Sequence, residues 1–139
     1  MLSRHLVFAS LLGLPFALPA QDPIGAWLER EGERLGALYR DLHEHPELSF
    51  REVKTAARMA AELHQLGLEV TERCGGNGVV GVLRRGEGPV ALLRADMDAL
   101  PIAEETGLPY ASKIRAESAE GRAVGVMHAC GHDLHMTCL

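Results

Sequence analysis

Eight consecutive residues near the C-terminal end, His128-Ala129-Cys130-Gly131-His132-Asp133-Leu134-His135, set three imidazoles, a thiol and a carboxylate side by side. Imidazole nitrogen and thiolate sulfur are the donors that borderline-soft divalent ions prefer, whereas calcium and magnesium take oxygen. Gly131 allows a tight turn, so that Cys130 and His132 can reach the same small volume. A c-type haem site is excluded, because the second cysteine needed ahead of a histidine is missing. A structural zinc finger is disfavoured, because no second pair of ligands follows at finger spacing. The competing reading is a histidine-rich surface turn or a helix cap. Taken alone, the segment points to a metal ion and says nothing of catalysis.

A second cluster is Arg94-Ala95-Asp96-Met97-Asp98-Ala99-Leu100-Pro101. Two carboxylates two residues apart at the end of a strand can face the same way, and Pro101 fixes the exit of the chain. One of them can bind metal or orient an imidazole by accepting its second N–H. The competing reading is a solvated loop in which Asp98 makes a turn bond to the backbone. Both clusters lie just past expected strands, which is where open α/β sheets place their ligands.

The elements that must carry these clusters follow from periodicity. Between about Pro23 and Glu44, Trp27, Leu28, Leu35, Leu38, Tyr39 and Leu42 recur at helical spacing. Pro46 ends that helix. Ser49-Phe50-Arg51-Glu52 has the form of a capping box, and a second helix is expected through Val53, Ala56, Ala60, Leu63 and Leu66 to a stop at Gly67. The period then changes to that of strands. Residues 68–72 alternate, Gly75-Gly76-Asn77-Gly78 is a turn cluster, and Val79–Leu83 is a short apolar run. Residues 84–89 read as a hairpin loop. Val90-Ala91-Leu92-Leu93-Arg94-Ala95 has the composition of a strand buried on both faces. Residues 101–122 are polar and irregular, Val124–Met127 is a possible strand, and a helix is expected near Asp133. Helices followed by a sheet with an apolar central strand indicate an α/β layered domain.

The chain has 139 residues, 14 Lys+Arg against 19 Asp+Glu, 47% hydrophobic and 24% charged residues. These are ordinary values for a folded soluble domain, and the acidic balance argues against nucleic-acid binding, which needs clustered cations. No apolar stretch is long enough to span a bilayer. The first twenty residues read as a signal peptide: Arg4 supplies a basic start, Leu6–Leu18 an apolar run, and Pro19-Ala20 a cleavage site. The protein is therefore expected to be exported, periplasmic or secreted, and free of the membrane once processed. Cys74, Cys130 and Cys138 make an odd number, so at least one thiol is expected to be unpaired or metal-bound.

Taken in order, Leu42-His43-Glu44-His45-Pro46-Glu47-Leu48-Ser49, Arg94–Pro101 and Met127–His135 resemble the motifs of one family. It is the dinuclear metal amidohydrolase and metallopeptidase family of aminoacylases, carboxypeptidase-G-type enzymes, hippurate hydrolases and indoleacetyl-amino-acid hydrolases. The similarity covers roughly residues 30 to 139, and three ordered motifs are far more specific than one. It implies that residues 21–139 form the incomplete N-terminal part of a three-layer α/β/α zinc-peptidase-like catalytic domain, with the lid and dimerisation domain absent. It also implies two divalent ions, manganese or zinc, at a site incomplete in this chain, a small N-acyl amino acid as substrate, and a homodimer in full-length relatives. By position, Cys130 and His132 match metal ligands, and Asp98 matches the aspartate beside the metal centre, the candidate catalytic residue. Asp96 falls where other branches use a ligating histidine. His128, Asp133 and His135 belong to the motif as supporting or structural residues, and His43, His45 and Glu47 are expected to be scaffold. Glu104 and Glu105 are expected to be solvated loop carboxylates, because the family's Glu-Glu pair follows the metal motif. The 139-residue chain alone is thus expected to have little or no hydrolase activity. The alternatives are an exported metal-binding protein without catalysis, in which Cys130, His132, His128 and His135 hold one ion, or an inert remnant.

Overall fold

The computed structural model describes residues 22–139, so the expected signal peptide lies outside the described residues. They divide into two units, one ending at Arg30 and the other running from Glu31 to Leu139. The first holds the opening turns of α1 (Pro23–Glu44), whose bounds are those expected from periodicity. Asp22 caps this helix: its Oδ1 accepts the backbone N–H groups of Ile24 at 3.1 Å and Gly25 at 3.0 Å. Proline at the first helical position adds a fixed φ where no donor is needed.

In the second unit, α2 spans Val53–Gln65, and β1 (Glu69–Cys74) pairs antiparallel with β2 (Gly78–Val82) in the register Thr71↔Val80. This hairpin packs on α2. At Gly81 a Cβ would fall 2.7 Å from Leu68 Cδ2, so the absence of a side chain there permits the close approach. A second hairpin joins β3 (Arg115–Glu117), within residues 101–122 that were expected to be irregular, to β4 (Ala123–Gly125), which overlaps the strand expected at Val124–Met127. The last helix, α3, covers His132–Cys138. Leu38 and Leu42 of α1, Met59 of α2 and Met136 of α3 form the buried core, with Ala95 and Met97 against it. Among the described residues no helix is long and apolar enough to cross a membrane.

Two expectations are corrected. The capping box at Ser49 is not formed. Phe50 takes a left-handed φ of 64°, which the first helical position of such a box does not allow, and the helix starts only at Val53. Glu52 instead accepts the Phe50 amide at 2.9 Å and the Asn77 side-chain amide at 3.1 Å. The apolar run Val90–Ala95 is not a buried strand: Val90 is 96% exposed and Leu92 86%. A strand has no hydrogen bonds of its own, and one inside a parallel sheet needs neighbours on both edges and cover on both faces. The described residues supply neither to this run, and the strands they do form make two separate two-stranded sheets.

Candidate metal centre

Backbone pairing brings the two chemical clusters together. Leu100 and Met127 exchange a pair of hydrogen bonds, 2.9 and 3.1 Å, and the Ala99 N–H donates to the Glu47 carbonyl at 2.8 Å. Asp98 is thereby held beside the segment that starts at His128. Gly131 adopts a left-handed φ of 77°, and the chain enters α3 directly afterwards at His132. The His132 Nδ1 lies 2.8 Å from the Asp98 carbonyl oxygen and 3.0 Å from its carboxylate Oδ1. An imidazole whose Nδ1–H is held in this way presents Nε2 as its lone-pair donor. The neighbouring carboxylate has another partner: Asp96 is paired with the Arg94 guanidinium. Cys130 is exposed, and Cys74, Cys130 and Cys138 are all free thiols.

Asp133, the next residue after His132, is almost fully buried. Its Oδ2 lies 2.6 Å from His43 Nδ1, while His43 Nε2 lies 3.0 Å from Glu104 Oε1. His43 is thus scaffold, as expected, and it bridges two carboxylates. Burial of His43 acts to lower its pKa, but the hydrogen bonds to Glu104 and Asp133 outweigh it, and the group is raised above the usual histidine value. Glu104 corrects another expectation. Its side chain is fully buried, and it also accepts the Ser112 amide at 2.5 Å and the Thr106 hydroxyl. Burial acts to raise its pKa, yet these bonds and His43 hold it below the usual carboxylate value. Nothing local in the sequence marks it, because the histidine that it pairs with lies 61 residues away. Glu105 is exposed, as expected. His45 is exposed and donates from Nδ1 to the Asp41 carbonyl at 2.9 Å.

The remaining histidines of the motif separate. His128 is buried, and neither ring nitrogen has a partner among the described residues. Burial holds its pKa below the usual value, which keeps a nitrogen lone pair available. His135 is exposed, its ring 6.0 Å from that of His132. Among the described residues no group of three or more His, Cys, Asp or Glu is placed to hold an ion, so the four-ligand set of Cys130, His132, His128 and His135 is not assembled. What fits a divalent ion is a part of a site. The free Cys130 thiol and a His132 fixed by Asp98 are chemically suited donors, and His128 is a buried imidazole with unsatisfied nitrogens beside them.

Residues 92–139, which hold both clusters, match peptidase family M20/M25/M40. That segment is similar to members of the M20 family. The chain is 43% identical over 120 residues to a putative amidohydrolase, YhaA, of Bacillus subtilis, an alignment covering 86% of this chain and 28% of that protein. It is 47% identical over 113 residues to the hippurate hydrolase of Campylobacter jejuni, covering 81% and 27%. Among solved structures it resembles the Bacillus subtilis YXEP protein, described as a dinuclear metal binding peptidase of the M20 family, with a TM-score of 0.66, 43% identity and coverage of 78% and 29%. A putative aminohydrolase of methicillin-resistant Staphylococcus aureus gives a TM-score of 0.67 at 39% identity, covering 82% and 28%. The chain therefore shares its fold with part of these M20 structures, and it spans little more than a quarter of the length of the relatives it matches.

Proposed function

We propose that this M20 chain carries part of the metal centre of an amidohydrolase that cleaves the amide bond of N-acyl amino acids. The observation that carries the reading is the double contact of Asp98 with His132 Nδ1. It commits one ring nitrogen to the protein and leaves the other as a metal donor, as expected of a ligand. Cys130 supplies the thiolate. Two bound divalent ions, manganese or zinc, would acidify a water and polarise the amide carbonyl. Within the chain, Asp98 fixes the orientation and tautomer of His132, and Asp133 anchors the start of α3. The relatives named hippurate hydrolase and amidohydrolase support a small N-acyl amino acid as substrate.

The 139-residue polypeptide alone is expected to be inactive. Among its described residues no three metal-ligating side chains are grouped to hold an ion, and Glu104 is committed to His43. Residues 1–20 are proposed to direct export, with cleavage after Ala20, which N-terminal sequencing of the secreted or periplasmic protein would test.

Two measurements test the metal reading. The purified chain should bind zinc or manganese, and Cys130→Ser with His132→Ala should abolish that binding. The same chain supplied with hippurate and manganese should release no benzoate or glycine. Undiminished metal content in the double variant would overturn the assignment of ligands, and turnover would overturn the expected inactivity.

A further inference from the structure

His43 lies in the last turn of α1, far in sequence from both chemical clusters, and each of its ring nitrogens faces a carboxylate. A neutral imidazole has a single N–H, so one nitrogen would set a lone pair against a carboxylate oxygen. Both contacts, 2.6 Å to Asp133 and 3.0 Å to Glu104, are satisfied together only when both nitrogens carry hydrogen. Two aromatic rings pack near the imidazole. Tyr39, on the same helix, has its centroid 5.7 Å from that of His43, and Tyr110, from the loop after Glu104, 5.5 Å away nearly perpendicular.

The two carboxylates are themselves tied down. Asp133 Oδ1 accepts the Leu134 N–H at 2.9 Å, and its main-chain carbonyl accepts the Thr137 hydroxyl at 2.8 Å. Asp133 is therefore rigid within the first turn of α3, and it directly follows His132. Glu104 holds the Ser112 amide. One imidazolium thus joins the end of α1, the loop 104–112 and the turn that presents His132.

We propose that His43 is a positioning residue for the metal loop, acting as a cationic clamp between Asp133 and Glu104 that fixes the first turn of α3 and so the direction in which His132 points. This rests on the reading of Cys130 and His132 as metal ligands. A merely structural role would change stability alone. A positioning role also changes the state of the His132 ring, which is set by its contact with Asp98.

The test uses the full 139-residue chain, its His43→Gln and Asp133→Asn variants, ¹⁵N NMR of the histidine side chains, and cobalt(II) as a spectroscopic probe. At pH 7.5 without metal, His43 should show both nitrogens protonated, and His132 a single tautomer with hydrogen on Nδ1. Both variants should convert His132 to a mixture of tautomers while far-UV circular dichroism is retained. They should also weaken cobalt binding about 10-fold or more, with a shifted thiolate-to-cobalt band. Should His43→Gln fail to fold, the nearly isosteric Asp133→Asn decides. A neutral His43, or an unchanged His132 tautomer in every folded variant, overturns the clamp. Absence of cobalt binding by the unsubstituted chain overturns the metal reading instead, and the tautomer of His132 then decides the clamp by itself.

Discussion

Glu47 caps α2 from outside the helix. Its Oε2 accepts the Thr55 amide at 2.8 Å and the Thr55 hydroxyl at 2.9 Å, satisfying the third amide of the helix, which would otherwise have no partner. Glu47→Ala should therefore lower stability by about 1–2 kcal/mol, the range for losing a cap bond at a partly buried site. Ser49→Ala should change it by less than about 0.5 kcal/mol, because Ser49 is exposed and caps nothing. Urea unfolding of the two variants checks both values.

Asp98→Asn and Asp98→Ala should weaken zinc affinity about 10- to 100-fold, as loss of a group that orients a ligand does. The main-chain carbonyl of Asp98 still reaches His132, so the loss should fall short of that seen in His132→Ala. Asp96→Asn should leave affinity near that of the parent chain, since Asp96 is paired with Arg94. Competition against a zinc-binding dye measures all four variants.

The clamp at His43 predicts how stability varies with pH. His43 is raised in the folded chain, so its contribution is complete below the unfolded value of about 6.5 and is lost as pH rises through the higher folded value. Glu104 is lowered, so its contribution is present above the unfolded value of about 4.3 and is lost as pH falls through the lower folded value. The plateau from these two groups should lie between about pH 4.3 and 6.5. Thermal melts across pH should show the alkaline decline in the parent chain and a flatter one in His43→Gln.

The exposed apolar run makes a different prediction. Val90, Leu92 and Leu93 are 96%, 86% and 74% exposed. Such a patch promotes association. Replacing Leu92 and Leu93 by Ser should leave the melting temperature of the 139-residue chain within about 2 °C of the parent, since exposed positions contribute little. Light scattering on heating should fall. A large drop in melting temperature would mean that these side chains are buried in solution.

Much of the architecture is written in short-range pattern. The bounds of α1 follow from the spacing of Leu35, Leu38 and Leu42 and from Pro46, and the β1–β2 hairpin follows from alternation around Gly75–Gly78. The capping box at Ser49 shows where this kind of reading ends, since the motif was present but the backbone at Phe50 turned the other way.

The amino-acid sequence by itself determined which residues have the chemistry to bind a metal: the thiol and imidazoles of Cys130, His132, His128 and His135, with Asp96 or Asp98 as an orienting group. It did so because donor chemistry belongs to side-chain type and to spacing within a few residues. Only the tertiary structure decided that Asp98 rather than Asp96 holds His132, that Glu104 is buried, and that His43 joins it to Asp133. Those outcomes depend on pairs 34, 61 and 90 residues apart, which meet only when Leu100 pairs with Met127 and α1 packs on α3 through Leu38, Leu42 and Met136. Contacts of that kind are selected by burial and by the need to satisfy buried polar groups, and neither is a property of a local stretch of chain.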